Sequence, residues 1–131
     1  MASQFVEFGV RLRLSDDSDG ARVAFQRIVE LTRESVANLK VMSGVVAFAG
    51  GEGATTLPLG DIAEAYIVLF EATVDGWLVA MTDANFAGGA GFTLKKRLAG
   101  NALALLMTSA TAITVDPNED AGDLYYCIAG V

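Results

Sequence analysis

Apolar and polar positions alternate most cleanly near the start of the chain. Val6, Phe8, Val10, Leu12 and Leu14 are apolar, with Glu7, Gly9, Arg11 and Arg13 between them. Period two predicts a β-strand with one buried face, because successive side chains of an extended backbone point to opposite sides. Ser15-Asp16-Asp17-Ser18-Asp19-Gly20 follows, a run of the residue types that close a hairpin. The return strand is expected over residues 21–31. Val23 and Phe25 alternate in one register and Ile28 falls out of phase. Val29 and Leu31 rejoin the register if Arg27 shares the buried side or a bulge intervenes. A helix is the competing reading, since Val23, Arg27 and Leu31 share one helical face, as do Phe25, Ile28 and Val29. The abundance of Val, Ile, Phe and Thr and the preceding turn favour strand. Residues 32–36 (TRESV) read as a turn, or as one helical turn capped by Thr32.

From residue 37 onward the pattern is a series of short apolar runs. Residues 37–49 (ANLKVMSGVVAFA) predict a strand that can break at Ser43-Gly44, and 50–56 (GGEGATT) a flexible loop. Further strands are expected over 65–72 (AYIVLFEA), 76–83 (GWLVAMTD), 91–94 (GFTL), 102–108 (ALALLMT), 110–115 (ATAITV) and 123–129 (DLYYCIA). Thr73-Val74-Asp75-Gly76 places an Asp-Gly pair between two apolar runs, a hairpin signal. Residues 85–90 form a Gly-rich loop, 98–101 a turn, and 116–122 the link between the last two strands. About eight strands with turn signals every 8–12 residues predict an all-β, antiparallel, jelly-roll-like β-sandwich. At 131 residues a single domain over 1–131 is expected. The hairpin over 5–31 stands out as a candidate oligomerisation or docking element.

Composition sharpens this. The apolar fraction is 53 % and charged residues make up 19 %, against about 25 % in an average soluble domain. Such a chain has an unusually large interior or hides further surface against partner chains. The net charge of −7, with no histidine, disfavours phosphate backbones and anionic membranes, so no nucleic-acid or membrane partner is expected. No signal peptide and no apolar run long enough to span a membrane are read, which points to synthesis in the cytoplasm. The single cysteine, Cys127, has no internal partner. It reads as a small buried hydrophobe in a reducing compartment.

The chemistry-bearing residues offer little. Without histidine, histidine-based nucleophilic catalysis and histidine metal sites are excluded, and one thiol cannot build a zinc site. The loop from Ser15 to Gly20 has Asp17, Asp19 and Gly20 at calcium-loop positions. Its first position is Ser15 and its twelfth is Gln26, so the motif fails. Asp116-Pro117-Asn118-Glu119-Asp120 lacks the required glycine and reads as a solvated turn. Asp61, Glu64, Glu71, Asp75 and Asp83 are available for acid–base work on a glycan, but most sit at strand ends or turns. Gly50-Gly51-Glu52-Gly53 lacks the lysine of a phosphate loop and reads as a mobile connection. No enzyme activity, cofactor or metal is expected.

Interface chemistry is the stronger expectation. Val6 and Phe8 lie on a strand suited to adding to a partner sheet. Lys95, Lys96 and Arg97 form the basic cluster, an exposed strand end that suits an acidic patch on a neighbouring subunit. Trp77 and Tyr66, in strongly apolar strands, read as core residues before they read as a sugar-stacking platform. Tyr125 and Tyr126 are adjacent and must point to opposite faces, so one is a candidate interface anchor.

The order of elements over residues 37–131 resembles small β-sandwich proteins of tailed-bacteriophage virions. The resemblance rests on Asn38-Leu39-Lys40-Val41, then Leu57-Pro58-Leu59-Gly60-Asp61-Ile62, then Tyr66-Ile67-Val68-Leu69-Phe70 and Gly76-Trp77-Leu78-Val79. It continues through Phe92-Thr93-Leu94 and Leu103-Ala104-Leu105-Leu106 to Ala112-Ile113-Thr114-Val115 and the final strand from Leu124 to Gly130. It covers roughly three quarters of the chain and omits the N-terminal hairpin. It implies a virion component (head decoration, connector or tail part) made in the host cytoplasm, a homo-oligomer whose partners are its own copies and other virion proteins. It carries over no catalytic residue. A carbohydrate- or receptor-binding module is the alternative. The strand pattern predicts a far-UV circular dichroism spectrum without a helical signature; a helix-dominated spectrum overturns the all-β reading.

Overall fold

A computed structural model describes residues 3–15, 23–83, 90–96 and 100–131. The alternation over 6–14 becomes β1 (Ser3–Ser15), paired antiparallel with β2 (Val23–Ala37). Phe8, Val10, Leu12 and Leu14 pair with Leu31, Val29, Arg27 and Phe25 in unbroken register. Arg27 therefore takes its place in the strand with no bulge beside it. The bulge comes later. Val6 pairs with Glu34 and Phe8 with Leu31, so β2 carries an extra residue at Thr32-Arg33. This corrects the turn expected over 32–36: the residues that looked like a break in period belong to a bulged strand that runs on to Ala37. The polar 16–22 loop lies outside the described residues.

The chain separates into two compact units, Met1–Leu39 and Lys40–Val131. The first contains the β1–β2 ribbon. Asn38, between the units, takes a left-handed φ of 60°, which asparagine tolerates better than most residues. The second unit is an antiparallel sheet of β3 (Lys40–Phe48), β4 (Thr55–Thr56), β5 (Ala65–Ala72), β6 (Trp77–Asp83), β7 (Ala90–Leu94), β8 (Ala102–Asp116) and β9 (Gly122–Gly130). Its order is β3-β9-β5-β8-β6-β7, with β4 beside β8. Strand β3 continues through Ser43-Gly44 without a break. At Gly44 the Tyr126 ring of the neighbouring strand lies where a side chain would be, so the missing Cβ is covered from across the pair.

Two expected strands, 102–108 and 110–115, are one. Strand β8 pairs with β5 through residues 102–107 and with β6 through 112–116. Its register slips twice on the way. Ala65 and Ile67 of β5 face Ala110 and Met107, and Thr82 and Asp83 of β6 face Ala112 and Ala110. The extra residues bend the strand and reverse which parity faces inward. Even positions such as Ala102 are buried before the bend, and odd positions Ile113 and Val115 after it. The bend is held by side chains: Asp83 Oδ2 accepts the Ser109 N–H at 3.0 Å, and Thr108 Oγ1 donates to the Ala65 carbonyl at 2.7 Å.

The expected Asp75-Gly76 hairpin is corrected as well, because β5 and β6 do not pair with each other. Thr73 N–H donates to Asp123 O at 3.0 Å, beside β9, and Gly76 N–H donates to Leu94 O at 2.8 Å, in β7. The turn carries the chain from one half of the sheet to the other. The halves meet face to face. Phe48 in β3 and Trp77 in β6 are separated by three strands, about 19 Å across a flat sheet, yet their ring centroids are 5.1 Å apart, edge to face. The sheet therefore folds over one core that includes Val68, Phe70, Trp77, Val79, Ile113 and Leu124.

Strands β5 and β9 approach closely beside the extra residue Tyr66. A Cβ on Gly130 would stand 1.9 Å from the Glu64 carbonyl oxygen and 2.9 Å from Ala65 Cα. Gly53, by contrast, has a φ of 76° and open space around it. Gly130→Ala is expected to lower stability by about 3 kcal/mol, since backbone rather than a flexible side chain must yield. Gly53→Ala is expected to cost about 1 kcal/mol from left-handed strain alone. Urea unfolding midpoints of the two variants check the difference.

Candidate functional site

The strands that supply the core also have an outer face. In β3, β9, β5 and the first half of β8, inward positions form the rows Met42–Ile128–Val68–Leu106, Gly44–Tyr126–Phe70–Ala104 and Val46–Leu124–Ala72–Ala102. Outward positions form three rows of their own. These are Val41–Ala129–Ile67–Met107, Ser43–Cys127–Leu69–Leu105 and Val45–Tyr125–Glu71–Leu103. An ordinary half-buried sheet would be polar here. Instead Ser43 and Glu71 are the only polar residues of the twelve positions, apart from the hydroxyl of Tyr125 and the thiol of Cys127.

Seven of the apolar members are open to solvent, while Ala129 is buried. Val41, Val45, Leu69, Leu103, Leu105, Met107 and Tyr125 are 38–66 % exposed. At roughly 150–250 Å² for a large side chain, they leave on the order of 700 Å² of mostly apolar surface facing outward. That exceeds the ~300–600 Å² of the largest patch on a typical monomer. The one carboxylate within the rows is drawn aside: Glu71 Oε1 accepts a hydrogen bond from Asn101 Nδ2 at 2.8 Å. Asp123 stands in the row beyond, opposite Ala47. The face is thus apolar and nearly uncharged on a chain of net charge −7.

The expected site residues are scattered around it. Tyr125 is exposed in the middle of the lower row and Tyr126 is half-buried on the core side, so adjacent residues do face opposite ways. Trp77 is withdrawn from any interface: it is 0 % exposed, its indole fills the core against Phe48, and its Nε1 has no hydrogen-bond partner. Tyr66, expected in the core, is exposed, because β5 carries it as an extra residue between Ala65 and Ile67 relative to β9. Cys127 is half-buried on the outer face instead of buried. Lys95 and Lys96 are exposed beyond β7, where Lys96 N–H donates to Asp75 Oδ1 at 2.6 Å; Arg97 lies outside the described residues. Val6 and Phe8 sit in β1 on either side of its register shift.

The carboxylates are not gathered. Glu71 pairs opposite Leu103 and Asp83 opposite Ala110, on the order of 20 Å along β8 at ~3.3 Å per residue. Glycosidase carboxylates stand about 5–10 Å apart. Asp116 Oδ1 accepts the Asn118 N–H at 2.9 Å and Asn118 Nδ2 donates to Gly76 O at 2.8 Å. The acidic turn is thereby used in its own folding. Gly51 N–H donates to Asn118 O, so the Gly-rich loop is tied to that turn instead of hanging free. Among the described residues no three of His, Cys, Asp and Glu come together to hold a metal. An open notch of about 290 Å³ lies between Lys40, Met42, Leu59 and Asp61. Its amine is engaged, Lys40 Nζ donating to Asp61 O at 2.8 Å.

Sequence reading named only Tyr125 from this face. The signal for the rest was present in AYIVLFEA and ALALLMT, where both alternating sets are apolar. No protein-family model, no curated protein and no solved structure matches the chain.

Because Trp77 is the single tryptophan and fully buried, its fluorescence reports the core. Blue-shifted emission, resistant to iodide until the protein unfolds, is expected, with no change on adding glycans. Emission typical of tryptophan in water in the folded protein would contradict the burial.

Proposed function

We propose that this protein is a non-enzymatic structural subunit of a tailed-bacteriophage virion, assembling into capsid or tail through sheet edges and apolar faces. The observation that carries this reading is the outer face of β3, β9, β5 and β8, which is too large and too apolar to be left in water on a chain with so little charge. Three further features support it. Strands β3 and β7 end the strand order and offer unpaired backbone edges among the described residues. The β1–β2 ribbon is a two-stranded sheet of its own, a kind of element that is marginal in water without a surface to pack on. The element order resembles virion β-sandwich proteins. The partners are other copies of the chain and other virion proteins, and the protein resides in the particle after synthesis in the host cytoplasm.

The carbohydrate-binding alternative is weaker on this geometry. A sugar site sets polar groups around an aromatic platform. Trp77 is in the core, and Tyr125 stands between Val45 and Glu71, whose carboxylate is already bonded to Asn101.

Mass spectrometry of purified particles, grown from a genome that encodes this chain, is expected to find it in stoichiometric amount with the main structural proteins. Its absence from such particles overturns the virion reading. Turnover of a glycan lost on Asp83→Asn, with the Trp77 emission unchanged, overturns the non-enzymatic one.

A further inference from the structure

We infer that the outer face of β3, β9, β5 and β8 is covered by the same face of a second copy of this chain, giving a symmetric dimer in which two sheets stack. The inference rests on the structural-subunit reading and specifies which surface of the subunit is used and what covers it.

Area is the first argument. The exposed apolar side chains of the rows offer on the order of 700 Å², close to the ~800 Å² per partner of a standard stable interface. One copy of the face therefore covers another with nothing left over. Shape is the second. Sheet faces stack about 10 Å apart with their side chains interleaved, and a symmetric pair needs a surface complementary to itself. A two-fold axis along the strands lays the β8 column of each copy over the β3 column of the other. The β8 column is large (Leu103, Leu105, Met107) and the β3 column is small (Val41, Ser43, Val45). Long side chains thus meet short ones on both sides of the axis, with β9 and β5 over each other between them. Charge is the third. The chain has sixteen Asp and Glu residues; only Glu71 falls within the rows, and Asn101 turns its carboxylate aside. Two acidic copies repel least through this face.

The intact chain is tested by sedimentation across the micromolar range. Twice the 13.7 kDa chain mass is expected at the upper end. Leu105→Lys places a charge in the central row and is expected to weaken the dimer roughly tenfold or more. Leu78→Lys alters an exposed apolar residue of β6, outside the rows, and is expected to leave the dimer unchanged. Trp77 emission reports whether each variant is folded. Where Leu105→Lys is not, the unaltered chain decides through its single thiol. Cys127 lies in the central row, so its labelling by a water-soluble maleimide is expected to slow as protein concentration rises. A monomer at every concentration, a dimer indifferent to Leu105→Lys in its folded form, or labelling independent of concentration overturns the inference. A monomer found in stoichiometric amount in purified particles overturns this inference alone and gives the face to a different virion protein. A dimer missing from those particles overturns the virion reading alone.

Discussion

The bend in β8 governs the second unit. A strand that paired along its whole length with β5 would build one flat sheet, with Trp77 and Phe48 on the same open surface. The extra residues between Met107 and Ala112 end the pairing with β5 and begin the pairing with β6. They also exchange the inward and outward sets of side chains, so that Ala102 and Ile113 point into the same core. A bulge leaves backbone groups without ladder partners. Asp83 and Thr108 take up two of them, which gives the buried carboxylate a structural role. The Asp75-Gly76 crossing and the contact of Phe48 with Trp77 both follow from bringing the two halves within one core's thickness.

That same arrangement leaves one wing with apolar residues on both sides. The core takes up the inward rows of β3, β9, β5 and β8, several of them only partly buried, and burying the outward rows as well would require a third layer. Seven of the large outward side chains remain exposed. Exposed apolar area of this size is unfavourable by ~25 cal/mol per Å², and association is the use we propose for it. The other wing shows the contrast: in β6 the outward positions are Leu78, Ala80 and Thr82, a smaller and more mixed set.

Much of the molecule is legible in the residue pattern. Period two marked β1, and the continuous apolar runs at 65–72 and 123–129 marked β5 and β9 nearly to the residue. Two of the errors share one cause. At Thr32-Arg33 and at Ser109-Ala110 the phase breaks, and a broken phase reads as the end of an element when it marks a bulge inside one. The Asp-Gly signal at 75–76 describes a local turn correctly but not what the turn connects. The face itself was half visible: runs such as ALALLMT declare that both sides of a strand avoid water, without saying whether a core or a neighbour receives each side.

The sequence by itself determined that the chain is all-β and antiparallel, where most strands lie, and that it is richer in apolar residues than an average domain. Those are local properties, set by the direction of successive side chains and by composition. Only the tertiary structure decided that β5 and β6 part company, that Tyr66 is outside, and that exposed apolar side chains collect on one wing. Each of these depends on which strands, far apart in the chain, share hydrogen bonds, and the residue pattern within a strand carries no label for its partner.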